Sequence, residues 1–168
     1  MKKSQQIAAA IEKMLAFYRG NQADIQHFLK VWALAKTIGE QEQLEESLQQ
    51  TLELAAVVHD IACPLCREKY GNTHGKHQEA ESAPLLEAFF QGLPVDPAVL
   101  PRVTDLVCHH HTYTDVNGID YRILLEADFL VNAAESGYSQ RVVESARKRV
   151  FRTETGLRLL REMYGLPQ

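Results

Sequence analysis

Cysteine is scarce in this chain. Cys63, Cys66 and Cys108 are the only three in 168 residues, and an odd number excludes a fully paired disulfide framework. Long hydrophobic runs are missing too. A membrane span needs about 20 apolar residues. The apolar stretch after the basic start Met1-Lys2-Lys3-Ser4-Gln5-Gln6 is short and is interrupted by Glu12 and Lys13. Neither a secretory signal nor a span is therefore expected, and a reducing cytoplasm is the expected compartment. Charge of neither sign dominates. The formal net charge is -4 and the pI about 6.0, so bulk electrostatics offer no argument for nucleic-acid or membrane partners. Period-2 alternation, internal repeats and low-complexity tracts are absent as well.

What is present is helical periodicity. Hydrophobic residues make up 45% of the chain, enough for one domain with a sizeable core. The first helix reads as residues 5–19, with Ile7, Ile11, Met14, Leu15 and Tyr18 on one stripe, and Gly20-Asn21 stop it. A second runs from about Ala23 to Ile38, capped by Asn21 or Asp24, with Ile25, Phe28, Leu29, Trp32 and Ala35 on its apolar face. A third spans roughly Glu42 to Ile61; it begins polar and ends in Leu54-Ala55-Ala56-Val57-Val58, so it enters the core at its C-terminal end. A loop is expected from Ala62 to about Lys76. A fourth helix runs on to Phe90, where Pro84 suggests a kink or a start near Ser82. The fifth opens at Asp96-Pro97 and ends at Cys108-His109-His110-His111, with Val99, Val103, Leu106 and Val107 as its stripe. The sixth covers Tyr121 to about Ala134. A last one, from about Ser139 to Met163, carries Val142, Val143, Val150, Leu157 and Leu160 inside and Arg141, Arg147, Lys148 and Arg149 outside. The expected fold is an all-α, single-domain bundle of about seven helices. The apolar faces of its first and last helices either pack internally or form a homodimer.

Four polar residues lie in or beside apolar helical segments: His27, His59, Asp60 and Asp128. An ionised Asp128 among Leu124, Leu125, Ala127, Phe129 and Leu130 is costly to bury without a counter-charge, and a divalent cation supplies one. Two imidazoles and two carboxylates are a donor set that a borderline or hard divalent ion accepts.

The ordered pattern His27…His59-Asp60…Asp128 resembles the HD superfamily of metal-dependent phosphohydrolases. The local contexts agree: His27-Phe28-Leu29-Lys30-Val31, then Val57-Val58-His59-Asp60-Ile61, then Leu125-Glu126-Ala127-Asp128-Phe129-Leu130. The resemblance covers about residues 24–135, flanked by an N-terminal and a C-terminal helix within one domain, residues 1–168. It implies a site between helices and hydrolysis of a small phosphate ester, a nucleotide above all, by metal-activated water. It implies one or two divalent ions, of Mn, Fe, Mg, Co, Ni or Zn. Resemblance to the dinuclear branch implies further histidine ligands, with His109 and His110 in one such place. His77 stands near another, where Glu79, Glu81 or His74 are alternatives.

The chain departs from that pattern twice. Asn117-Gly118-Ile119-Asp120-Tyr121 stands where the cyclic-dinucleotide phosphodiesterases carry Gly-Tyr-Pro, so their substrate does not carry over. Ala62-Cys63-Pro64 replaces the Gly and Lys usual after the His-Asp pair, so a catalytic lysine does not carry over either. The catalytic set expected is His59, Asp60 and His110, with a histidine of the 109–111 cluster or the second carboxylate handling protons. Arg67, Lys69, Lys76, His77 and His111 are expected around the substrate, the cations facing the phosphoryl oxygens. Cys63 and Cys66 suggest a redox pair, half a zinc site, or plain loop cysteines near the site. The rival reading is a catalytically silent regulatory module that binds a nucleotide or a metal on the same fold.

Overall fold

The computed structural model describes residues 1–168, and every regular element is helical. Nine α-helices follow in order: α1 (Lys3–Tyr18), α2 (Gln22–Gln41), α3 (Glu46–Val58), α4 (Cys63–Tyr70), α5 (Gly75–Phe90), α6 (Leu100–His109), α7 (Ile119–Glu135), α8 (Gln140–Arg149) and α9 (Glu154–Tyr164). A single 3-10 turn, Pro97–Val99, leads into α6. None is long and apolar enough to cross a membrane.

The helix α3 is the axis of the fold. Every residue from Gln50 to Val58 is buried, and α1, α2, α6 and α7 pack around it. Such a segment has no solvent face, so periodicity along it carries no direction and only its length and apolarity mark it as core. The second buried helix, α7, packs on both α2 and α3. Asn21 caps α2 as expected, its side chain accepting from the Asp24 amide at 3.2 Å. α1 turns Ile7, Ala10, Met14 and Tyr18 inward; Leu15, expected on that stripe, is exposed.

Two features differ from expectation, and a third settles an alternative. The stretch read as a loop holds α4, with Pro64 in its first turn and Gly71 ending it at φ +70°. Two turns with only Cys63 and Cys66 buried are too short to show a period. Of the two readings offered for the next helix, the longer one holds: α5 begins at Gly75, close to the expected end of the loop, and runs through Pro84 rather than starting near Ser82. Proline removes the bond to the Ala80 carbonyl, but both residues are exposed, so water can take that acceptor. The last helix is two. Glu126, buried on α7, accepts from the Arg152 amide at 2.6 Å, the Thr153 amide at 3.0 Å and the Thr153 hydroxyl at 2.5 Å. The chain therefore leaves helical geometry at Val150, and Thr153 caps α9 by accepting from the Gly156 amide at 2.9 Å. A Cβ on Gly156 would lie 2.1 Å from the Glu126 carboxylate, so only glycine admits this approach. Val142, expected inside, is 41% exposed, because it points about 100° away from its buried neighbour Val143 on α8.

Burial pushes the Glu126 carboxyl above its ordinary value, and the Thr153 and Arg152 donors work against that shift. Glu126→Ala leaves the Arg152 and the buried Thr153 amides without their acceptor. It should lower the unfolding free energy by about 2–4 kcal/mol in urea titration; a loss below about 1 kcal/mol would contradict this account of the break.

Candidate metal centre

The end of α3 sets the site. The helix stops at Val58, and the next residues turn tightly, with the Ile61 amide donating to the Val58 carbonyl at 3.0 Å and the Cys63 amide to the Asp60 carbonyl at 2.9 Å. The Tyr18 hydroxyl also donates to the Asp60 carbonyl, at 2.9 Å. This turn swings Asp60 round so that adjacent residues, which would diverge by about 100° on a helix, aim at one point. His27 comes from α2, Asp128 from α7 and His110 from just beyond α6.

His27 Nε2 lies 3.0 Å from His59 Nε2, 3.3 Å from Asp60 Oδ2 and 3.2 Å from Asp128 Oδ1. His59 Nε2 lies 3.4 Å from both of those carboxylate oxygens. Donors on neighbouring corners of one divalent ion, with bonds of about 2.1–2.3 Å, are about 3.0–3.3 Å apart when cis on an octahedron. His27, His59 and Asp60 form one group that could hold an ion, and Asp128 flanks it within reach of both imidazole nitrogens. Asp60 Oδ1 turns the other way, to His110 Nε2 at 3.3 Å, and a second group forms from Asp60, His110 and His111.

The outer ring nitrogens explain which atoms face inward. His59 Nδ1 bonds the Ala56 carbonyl at 2.8 Å, His110 Nδ1 bonds the Val107 carbonyl at 2.7 Å, and His27 Nδ1 bonds Glu135 Oε1 at 2.6 Å. Each Nδ1 donates to its oxygen, which leaves a lone pair on each inward Nε2 of the neutral rings. His110 Nε2 and Asp128 Oδ1 are then buried with no protein hydrogen-bond partner. A cluster of inward lone pairs and carboxylates is repulsive in itself; a proton or a cation must hold it together. The residues present therefore fit a divalent metal.

The same balance appears in the titration of the groups. Burial works against charge on the His59 ring, but the Asp60 and Asp128 carboxylates hold it well above the ordinary imidazole value; His27 is raised for the same reasons. Burial likewise opposes ionisation of the two carboxyls, yet His59 and His110 hold Asp60 well below its usual range, and His27 and His59 do so for Asp128. His111 keeps solvent contact on one side. Loss of water on the other side, then the neighbouring His110, lowers it to about 4.

The remaining expected residues divide. A pocket of about 300 Å³ opens over His27, Asp60 and Asp128, and Arg67 and His111 line it. Arg67 is fixed there by Asp24, in a two-pronged pair at 2.6 and 2.9 Å. Lys69, Lys76 and His77 do not line it. Lys69 and the Tyr70 hydroxyl both bind Glu81, His77 stacks on Tyr70 and bonds Asn72, and Lys76 is exposed. Glu79 accepts from the Thr112 hydroxyl and His74 precedes α5, so none of these alternatives reaches the cluster.

His109 is a correction. As the last residue of α6 it is exposed and turns back to the Asp105 carbonyl at 2.7 Å, so the pair beside Asp60 is His110 and His111. A Cβ on Gly75 would lie 2.8 Å from the His111 Cβ, so this glycine lets α5 press His111 toward the site. Cys63 and Cys66 are buried free thiols on α4 and join no metal-holding group; burial, then Asp60, pushes the Cys63 thiol far up. Sequence reasoning missed Glu135 and Gln78, both pocket-lining. Glu135 is seven residues beyond Asp128, on the same helical face, and that spacing was the available signal.

A family model described as HD domain matches residues 24–146. The chain belongs to the HD domain family. Among solved structures it is similar to the crystal structure of a predicted HD superfamily hydrolase from an uncultured Thermotogales bacterium. That likeness has a TM-score of 0.66 at 22% identity and covers 96% of this chain and 84% of the other; it shows a shared fold. No curated protein matches this HD domain.

Two outcomes follow from the geometry. Metal must displace protons held on His27 and His59. Because those rings are raised, protons compete even above the ordinary imidazole value of about 6.5. Affinity for Mn²⁺ measured by isothermal titration should fall steadily from about pH 8 to pH 6, with proton release on binding; a flat profile would contradict the ring assignments. Glu135→Ala frees the His27 ring and should weaken metal binding by about 10- to 100-fold without unfolding the protein.

Proposed function

We propose that this HD domain is a metal-dependent phosphohydrolase acting on a nucleotide or another small phosphate ester. The observation that carries the reading is the meeting of His27, His59, Asp60 and Asp128, from three separate helical regions, with both imidazoles facing both carboxylates beneath an open pocket. Purely structural reasons for gathering two buried acids and two imidazoles are poor, since a hydrophobic substitute is usually as stable.

His27, His59 and Asp60, with Asp128 beside them, would hold a divalent ion, and that ion would supply a Lewis acid able to lower the pKa of water and offset phosphoryl charge. The chain's own groups do the rest. Glu135 and the Ala56 carbonyl orient the rings of His27 and His59. Arg67, held by Asp24, supplies a cation at the pocket for the phosphoryl oxygens, a geometry that suits a planar guanidinium. His110, with a buried and unpartnered Nε2 beside Asp60, serves in one of two capacities that metal analysis separates. Two ions per chain assign His110 and His111 to a second cation; one ion assigns His110 to accepting the proton of the attacking water. Water attacks phosphorus in line, the ester P–O bond breaks, and the leaving oxygen takes up a proton.

The test is a panel of nucleotides and generic phosphate mono- and diesters with added Mn²⁺, Mg²⁺, Co²⁺, Ni²⁺ or Fe²⁺. Metal-stimulated turnover is expected, and Asp60→Ala and Asp128→Ala should each lower it by at least about 10³-fold while the protein stays folded. Wild-type rates in either variant would reject the assignment. Tight nucleotide binding with no turnover under any metal would favour the regulatory module.

A further inference from the structure

The helix α1 precedes the matched HD segment, residues 24–146, yet its last residue reaches the metal centre. Tyr18 completes the buried stripe Ile7, Ala10, Met14, Tyr18 and is 3% exposed. Its ring packs on Phe28, which follows His27 on α2, with centroids 6.0 Å apart and planes inclined by 30°. Its hydroxyl donates to the Asp60 carbonyl at 2.9 Å. One side chain thus ties the helix that carries His27 to the turn that carries Asp60. The same carbonyl accepts from the Cys63 amide at 2.9 Å, so both of its lone pairs are used. The Cys63 bond is local and moves with the turn. The Tyr18 bond spans 42 residues of sequence and fixes the turn relative to the rest of the bundle. That fixing matters because Asp60 is used on both sides. Oδ2 lies 3.3 Å from His27 Nε2 and 3.4 Å from His59 Nε2, while Oδ1 lies 3.3 Å from His110 Nε2. A rotation of the Asp60 peptide would carry both oxygens off these positions together.

We propose that Tyr18 is a positioning residue of the metal centre, whose hydroxyl fixes the Asp60 turn so that one carboxylate oxygen meets His27 and His59 and the other meets His110. The proposal rests on the metal-dependent reading and adds α1 to the machinery of that site. Tyr18 acts through the Asp60 backbone and not on the ion or the substrate. Coupling of this kind is reciprocal: whatever the hydroxyl adds to metal affinity, the bound metal returns to the docking of the end of α1. The rest of α1 is secured away from the centre. Gln6 Oε1 accepts from Gln50 Nε2 at 2.7 Å and from the Asp96 amide at 3.0 Å, and the Lys13 ammonium donates to the Phe89 and Gln91 carbonyls. Removing the Tyr18 hydroxyl alone therefore leaves α1 in place while it frees the Asp60 turn.

The test compares wild type with Tyr18→Phe, which keeps the ring and removes the hydroxyl, and with Ile7→Ala, which loosens the core face of α1 about three turns away from Tyr18. Mn²⁺ affinity is read by isothermal titration, and the Co²⁺-loaded proteins are compared by their visible d–d absorption. Tyr18→Phe should bind Mn²⁺ about tenfold more weakly, as expected when a ligand loses the partner that orients it, and should shift the Co²⁺ bands. Ile7→Ala should keep the wild-type spectrum and an affinity within about twofold of wild type, since distant sites act independently. Wild-type affinity and spectrum in Tyr18→Phe overturn the proposal. An equal loss in Ile7→Ala overturns it as well, because Tyr18 would then act only by packing α1. A wild type that binds no divalent ion rejects the metal centre itself and the proposal with it, an outcome distinct from both. Should Tyr18→Phe fail to fold, the wild type alone decides: Mn²⁺ must slow amide hydrogen exchange at the end of α1, and exchange there indifferent to the ion rejects the role of Tyr18.

Discussion

The mutual repulsion of inward-facing lone pairs and carboxylates at the end of α3 is the constraint on which the rest of the molecule depends. Left alone, His27, His59, Asp60 and Asp128 would separate or take up protons. The two imidazole nitrogens are held 3.0 Å from one another and 3.2 to 3.4 Å from each carboxylate by everything around them. The outer nitrogens of the rings are pinned to Glu135 and to the Ala56 carbonyl, and the Asp60 backbone is pinned by Tyr18. Tight packing then prevents relaxation, since α3 has no solvent face along its last nine residues. A cation resolves the repulsion, and that is why an all-helical bundle with an otherwise ordinary core concentrates its electrostatic strain at one place.

Polar groups elsewhere in the core serve connectivity rather than chemistry. Asp120 is buried and held by Arg102 at 2.9 and 2.8 Å, which anchors the start of α7 to α6. Glu126 collects three donors from the α8–α9 junction. α7 therefore carries three buried acids, of which only Asp128 faces the metal centre. The distinction lies in their partners. Asp120 and Glu126 meet donors from the chain, whereas Asp128 Oδ1 meets only the inward nitrogens of His27 and His59.

Much of this was legible along the chain. The amphipathic or wholly apolar runs of α1, α2, α3, α6 and α7 announce themselves by period or by length, and an acid inside the apolar run of α7 marks itself as needing a counter-charge. The short α4 was hidden because two turns show no period. The α8–α9 break was hidden because its cause, Glu126, lies more than twenty residues away, and nothing local marks where a distant carboxylate will draw two amides out of a helix.

Residue types and order alone therefore determined the class of fold, the principal helices and the four donors that converge, because burying a charge has a cost that can be read from its immediate neighbours. Tertiary structure alone decided which of three consecutive histidines face the centre, since His109 ends α6 on its outer side while His110 and His111 turn in beside Asp60. It decided as well that Arg67 lines the pocket while Lys69 and Lys76 do not. Direction at a helix end is set by how the neighbouring helices pack against it, and no pattern within the segment itself contains that information.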